Sequence, residues 1–274
     1  MPNLINITIK NHIAHVELNR PEKMNALSLE MFDAIIDAGR SLAENRDVRV
    51  VVLSGAGKAF CAGLDLANFT DPKAFEDPFG EGKGGFWPNH YQLPGYVWKQ
   101  MPVPVIAALH GVAFGGGIQI ALGADIRIAH PESRLSVMEI KWGLIPDMSG
   151  SQTLRDLVRL DVAKELCFTG RIVEGQEAEQ IGLVTRLAED PLAKAMELAE
   201  TIAGKNPDAI SLGKYLLDNS RDGDRLAGLK MEEKLQARLM KSPNQIEAVM
   251  AAMQKRSPQF DPRTIKNFDE LESL

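Results

Sequence analysis

Apolar and polar positions alternate along this chain with two different periods. Near the start they alternate singly. Ala14, Val16 and Leu18 share one face of a segment over 12–18, and a shorter segment over 5–9 completes a hairpin. NRPEKMNAL (19–27) breaks the pattern with Pro21 and two asparagines, as a loop does. Ser28 then stands where a helix N-cap belongs, and Phe32, Ile35, Ile36, Gly39 and Leu42 recur at helical spacing. RVVVLSG (49–55) and VPVIAAL (103–109) are nearly continuous apolar runs, which predicts strands covered on both faces. Shorter strands are expected at 126–129 and 135–137. Strands alternating with helices imply right-handed crossovers and an α/β fold.

Residues 67–100 interrupt this rhythm with glycines, prolines and aromatics. A loop of that length is usually a lid, a binding loop or disordered. From about residue 190 the period is helical, with helices expected at 192–204, 208–219, 225–241 and 244–254. The chain therefore reads as an α/β core over 1–200 followed by an all-helical part over 201–274.

Composition narrows the picture. The 274 residues are 45% hydrophobic and 25% charged, ample for a sizeable core. The formal charge of −6, without a basic block, argues against nucleic acid as a partner. No apolar run approaches the ~20 residues of a membrane span. The opening MPNLINITIKNH lacks signal architecture, and the two cysteines, Cys61 and Cys167, form no disulfide framework. A cytoplasmic protein is the expectation.

Several chemistries are absent from the sequence. GGGIQI lacks the dinucleotide-binding spacing, SGAGKAF lacks the P-loop spacing, and there is no HExxH, CxxC pair or GxSxG. His110, at a strand end, is either structural or catalytic. The glycines at AFGGGIQIALGAD (113–125) suggest something else. A strand, a glycine turn and a helix start expose unpaired backbone N–H groups. Such groups bind phosphate or hold an oxygen that gains negative charge, unless the glycines serve tight packing alone. SGAGKAFCAGLDL (54–66) repeats the logic after another buried strand. Two such turns can each supply one N–H to one oxygen.

NRPEKMNAL, VVLSGAGKAFCAGLDL, MPVPVIAALHGVAFGGGIQIALGADIRIA and LSVMEIKWGLIPDMSGSQTLRDLV follow one another as in the crotonase (enoyl-CoA hydratase/isomerase) superfamily, which the chain resembles from about residue 4 to about 260. The resemblance implies a spiral of ββα and βαβ units with a helical C-terminal part that assembles trimers or dimers of trimers. It implies an acyl-CoA thioester as substrate and no separate cofactor, since coenzyme A is part of the substrate. The oxyanion hole then corresponds to the N–H groups of Leu64 and Gly116. The CoA-binding positions correspond to Lys23, Ala26, Ala62, Asp65 and Leu66, with Lys58, Lys255 and Arg256 as further phosphate candidates.

Hydratases of this family carry glutamates at the positions of Gln119 and Glu139. Hydration needs one group to activate water and another to deliver a proton, and a carboxamide has no proton to trade near neutral pH. Gln119 is left to orient the acyl chain or a water. Glu139 is present, and Asp147 lies eight residues on. That pair resembles the dienoyl-CoA isomerases, whose acid at the position of Gln119 is missing here. The simpler 3-enoyl-CoA isomerases work with one glutamate near the Glu139 position. The expected chemistry is proton removal by Glu139 and return by Glu139 or Asp147. Val137, Met138, Ile140, Trp142 and Leu144 are expected to wall the base apolarly and raise its pKa. Asp147 is alternatively a turn or cap residue before a helix near Ser149. Hydration or thioester hydrolysis through Glu139 and a bound water, and non-catalytic acyl-CoA binding, are the competing readings. Phe69, Phe75, Phe79, Phe86, Trp87, Tyr91 and Tyr96 suggest a greasy acyl pocket or a loop anchor.

Overall fold

The computed structural model describes residues 3–69, 88–221 and 223–271. β1 (Ile5–Lys10) and β2 (Ile13–Leu18) form the expected hairpin, turned by Asn11 and His12 at φ 49° and 66°. Positive φ at both turn residues matches the twist of the flanking strands. α1 (Leu29–Glu44) begins where Ser28 Oγ accepts the Met31 N–H at 3.3 Å, and it buries Phe32, Ile35, Ile36, Gly39 and Leu42. β3 (Val50–Gly55) is buried at every residue and runs parallel to β2.

α2 (Leu93–Tyr96) follows, inside the stretch expected to be loop. Then come β4 (Val105–Leu109), β5 (Val112–Phe114), α3 (Gly116–Leu122), β6 (Ile126–Ala129) and β7 (Arg134–Ser136). α4 (Gly150–Leu157), α5 (Leu160–Thr169), β8 (Val173–Glu174), α6 (Gly175–Gln180) and β9 (Arg186–Leu187) complete the α/β part. The main sheet has the order β1-β2-β3-β4-β6-β9, with only the β1–β2 pair antiparallel. β5, β7 and β8 form a smaller sheet beside it. Four helices follow: α7 (Pro191–Ala203), α8 (Pro207–Asn219), α9 (Arg225–Leu239) and α10 (Pro243–Met253).

Successive residues of β3 feed two separate cores. Val51 and Leu53 face α1 and α3, whereas Val50 and Val52 face α7. This alternation explains the uninterrupted apolar run, since both sheet faces are covered. α7 lies on the sheet through Ala195, Ala199 and Ala203, small residues four apart that admit Ile106, Ile128 and the β3 valines. α8 is tied to the core by polar bonds. Lys214 Nζ, on a nearly buried side chain, reaches the Trp98 and Val103 carbonyls and Asp125 Oδ2 at 3.1, 3.2 and 2.9 Å.

The segment after α10 returns across the molecule. Ile265 and Leu271 join Leu212 of α8 and Leu235 of α9 in a third cluster. Arg263, fully buried, donates to the Ala43 and Asn45 carbonyls at the end of α1, and Arg46 Nε donates to the Arg263 carbonyl at 2.8 Å. Arg49 links the Ala203 and Phe260 carbonyls. Among the described residues no helix is long and apolar enough to cross a membrane.

Candidate active site

The two glycine turns of the sequence lie side by side. Cys61 pairs with Ala113 in a parallel bridge, with Cys61 N–H to Val112 O at 3.1 Å and Phe114 N–H to Cys61 O at 3.0 Å. Leu64 pairs in the same way with Leu27 from the first loop. A Cβ built on Gly63 would lie 2.6 Å from the Phe114 carbonyl oxygen and 3.7 Å from the Gly116 nitrogen. Among the described residues, neither the Leu64 nor the Gly116 N–H donates to a backbone carbonyl. The glycines are thus closely packed and leave backbone amides without an acceptor among the described residues. A Cβ on Gly117 would stand 2.4 Å from Cys61 O, so that glycine is needed for packing. Gly115 adopts φ 52° and ψ −121°, a conformation open essentially to glycine alone, and precedes the buried first turn of α3.

Glu139 opens a short 3₁₀ turn (Glu139–Trp142) after β7 and is 7% exposed. Its Oε1 lies 3.4 Å from where a Cβ on Gly115 would be, so the carboxyl sits beside the first amides of α3. Its Oε2 is buried without a partner among the described residues. Burial pushes the Glu139 pKa up, the nearby Asp147 charge adds to the rise, and hydrogen bonds, including one from Gln119, oppose it. The apolar wall expected around this base is differently built. Val137 is buried, but the 3₁₀ turn carries Ile140 and Trp142 outward, and with Leu144 they are 44–46% exposed.

Gln119, buried on α3, bonds to the protein at both ends of its carboxamide. Oε1 accepts the Met148 and Gly150 N–H groups, each at 2.9 Å, and Nε2 donates to Glu139 Oε1 at 2.5 Å. The group read from the sequence as an orienter of acyl chain or water thus holds the chain between Glu139 and α4. Asp147 lies on that same crossing, exposed at its surface, yet protein packed around its carboxyl raises its pKa by desolvation. It does not cap α4; Ser149 holds the N-cap position in a left-handed conformation and makes no side-chain cap bond. Asp147 faces a cleft of about 740 Å³ whose walls include Tyr96, Gln100, Ile145 and Pro146.

The positions matched to CoA binding gather along the first loop and the second turn. Ala62 N–H donates to Met24 O at 2.9 Å and Asp65 N–H to Leu27 O at 3.0 Å. Asp65 accepts the Ala67 amide, which holds its pKa low, and pairs with Arg20 at 2.6 Å. Arg20 also donates to Ala26 O at 3.0 Å. Lys23 and Lys58 are exposed, as is Leu66 at 54%. Arg256 is engaged by Glu247, and Lys255 beside it is exposed.

Two residues of this region were not legible in advance. One is Arg20. The other is Asn25, fully buried at φ 55°, whose Nδ2 reaches the Ala56, Ala59 and Phe60 carbonyls while its Oδ1 accepts the Arg20 N–H. Asparagine's tolerance of the left-handed region was the one signal available. His110 meets the Gly57 carbonyl at 3.0 Å. Burial lifts the Cys61 thiol to about 12, which removes it as a nucleophile. Of the seven aromatics, Tyr91 packs edge-on against Phe32 and Tyr96 lines the Asp147 cleft. The side chains of Phe69, Phe75, Phe79, Phe86 and Trp87 lie outside the described residues.

Comparison with known proteins bears on this arrangement. The profile of the enoyl-CoA hydratase/isomerase family matches residues 8–263. A crystal structure of an enoyl-CoA hydratase from Bacillus anthracis superposes with a TM-score of 0.86 at 32% identity, covering 94% of this chain and 98% of that one. The peroxisomal Delta(3,5)-Delta(2,4)-dienoyl-CoA isomerase of Arabidopsis thaliana is 34% identical over 257 residues, 90% of this chain and 92% of its own. The mitochondrial methylglutaconyl-CoA hydratase of Mus musculus is 30% identical over 250 residues, covering 89% and 77%.

Proposed function

Because this chain belongs to the enoyl-CoA hydratase/isomerase family, whose enzymes act on acyl-CoA thioesters, we propose that it shifts a carbon–carbon double bond along an acyl-CoA by proton transfer through a thioester dienolate. The Leu64 and Gly116 N–H groups hold the thioester oxygen as it gains charge. Glu139 takes a proton from C2. The dienolate electrons move outward and the proton returns at the far end, at C4 of a 3-enoyl ester or C6 of a 3,5-dienoyl ester, from Glu139 or through Asp147. No atom is gained or lost, so a single base suffices. Coenzyme A is held along Lys23, Ala26, Ala62, Asp65 and Leu66, and the acyl chain runs into the cleft beside Asp147.

One observation carries this choice over hydration. The side chain bonded to Glu139 is a carboxamide, which has no proton to deliver, while the carboxyl whose charge raises its pKa is Asp147. The raised pKa of Glu139 suits a base working near neutrality. Ile140, Trp142, Ile145, Leu160 and Phe168, 44–74% exposed around this site, support assembly as a homotrimer or dimer of trimers.

The test offers the purified protein a medium-chain 3,5-dienoyl-CoA, a 3-enoyl-CoA and a 2-enoyl-CoA. The first two should be converted and the third not hydrated. Glu139→Gln should lose roughly 10²–10⁴-fold in rate. Asp147→Asn should lose rate on the dienoyl ester more than on the 3-enoyl ester. Hydration of the 2-enoyl ester without isomerisation would overturn the proposal in favour of a hydratase.

A further inference from the structure

We propose that Gln119 is the positioning residue of this site: its single carboxamide fixes the 144–150 crossing and turns Glu139 so that Oε2 alone is free to take the substrate proton. The inference rests on the reading of Glu139 as the base. It adds how the protein chooses between two chemically equal carboxylate oxygens.

Gln119 Oε1 has two lone pairs, and the Met148 and Gly150 amides use both at 2.9 Å. Those bonds fix which end of the carboxamide is oxygen. Nε2 must then face Glu139, and it donates to Oε1 at 2.5 Å. A carboxylate oxygen that accepts a strong hydrogen bond loses basicity relative to its twin. The twin, Oε2, is buried and without a partner among the described residues. A buried acceptor left bare is costly unless something is meant to donate to it. A thioester whose carbonyl oxygen is held by the neighbouring Leu64 and Gly116 amides would bring its C2 proton to that oxygen. The Leu144 N–H bond to the Glu139 carbonyl at 3.1 Å closes the other end of the crossing, so its two ends are tied to Glu139 and to Gln119. The charged or titratable groups whose fields couple to Glu139 are Asp147 on this crossing and Cys167 on α5, and Gln119 itself is neutral.

The substitution Gln119→Glu separates positioning from mere packing. The new carboxyl can accept both amides on one oxygen. Its other oxygen then faces Glu139 and can bond to it only by holding a proton. The pair therefore shares one proton around neutrality, and the glutamic acid does what the amide does. Once the shared proton is lost at higher pH, two carboxylates face each other and the arrangement breaks. Gln119→Met fills the space and removes both functions. Gly150→Ala attacks the same bond from outside, since its Cβ would meet Gln119 Oε1 at 2.6 Å.

The experiment follows exchange of the C2 protons of saturated hexanoyl-CoA in D₂O by mass spectrometry, from acid to alkaline pH, for wild type and the three variants. Exchange needs the base and the oxyanion site but no double bond. Gln119→Met should slow it roughly 10- to 100-fold near neutrality, the factor expected from one charge-assisted hydrogen bond. Its acid limb should move to higher pH, with KM changed less than about threefold. Gly150→Ala should shift the limb in the same direction. Gln119→Glu should keep near-wild-type exchange at neutral pH and lose it on the alkaline side.

If folded Gln119→Met or Gly150→Ala keeps the wild-type rate and acid limb, the proposal fails. It also fails if Gln119→Glu shows no alkaline loss, or if the wild type exchanges nothing, since Glu139 is then no base to position. Wild-type exchange without any double-bond shift sinks only the isomerase reading and leaves the role of Gln119 intact.

Discussion

Replacing Asn25 by alanine should cost more stability than truncating any other polar side chain of the first loop. The Asn25 side chain makes one bond as acceptor, from Arg20 N–H at 2.8 Å. As donor its two hydrogens serve the Ala56, Ala59 and Phe60 carbonyls at 3.0, 2.8 and 3.1 Å. With the residue at 0% exposure, water cannot replace these partners without a rearrangement. Three lost bonds, at about 1–1.5 kcal/mol each, amount to about 3–4.5 kcal/mol. Alanine at φ 55° adds about 1 kcal/mol, because asparagine bonds locally there and alanine does not. The total, about 4–5.5 kcal/mol, is a large share of the 5–15 kcal/mol typical of a domain. Urea denaturation followed by circular dichroism gives the number directly. The midpoint should fall with the slope unchanged. Because this loop carries Lys23 and Ala26, KM for an acyl-CoA should rise more than kcat falls. A loss below about 1 kcal/mol would refute the reasoning, since the buried carbonyls would then have found other donors. Asn19→Ala, whose amide reaches Asn3 O at an exposed site, is the control and should cost under about 1 kcal/mol.

Two further outcomes follow from the site. Glu139→Gln should lower turnover roughly 10²–10⁴-fold yet stabilise the fold at neutral pH. A carboxyl whose pKa is raised on folding binds its proton more tightly in the native state, so ionising it penalises folding. The penalty is absent below the unfolded carboxyl value near 4.5 and grows as pH rises to the native value. The melting advantage of Glu139→Gln should therefore vanish in acid, and equal melting temperatures at all pH values would refute it. Gly115→Ala should lower kcat roughly 10²-fold, because its backbone at φ 52° and ψ −121° disfavours a side chain and a shift there would move the neighbouring Glu139 carboxyl. Steady-state kinetics with an intact circular dichroism spectrum decide that case, and an unchanged kcat would count against it.

The helical half was legible nearly to the residue, and the reason is local. Asp190, Asn206 and Ser242 cap helices that begin with Pro191, Pro207 and Pro243, so each start is written in two adjacent residues. The runs that became β3 and β4 were equally plain. β5, β8 and β9 were not, since two or three residues carry no period and these strands exist only through their partners. α2 spells Leu-Pro-Gly-Tyr, which reads as a turn. It is held by close packing, since a Cβ on Gly123 at the end of α3 would stand only 1.9 Å from Gly95 O. In the site, Glu139, the two glycine turns and their unpaired amides were visible in the sequence. What Gln119 bonds was not, because its partners at Met148 and Gly150 are backbone amides without a side-chain signature.

The arginine contacts of the C-terminal segment also say something about time. The carbonyls of Ala43 and Asn45 are capped by Arg263, a residue 220 and 218 positions downstream. During synthesis those carbonyls at the end of α1 must wait until Arg263 has emerged, at ~5–20 residues per second. α1 can form early, but its final turn and the cluster around Ile265 cannot be finished until the last stretch docks. The nascent protein therefore passes through a stage in which the two glycine turns are made but the Arg263 contacts at the end of α1 are missing. Emergence of the segment around Arg263, more than that of the two glycine turns, times completion of the end of α1.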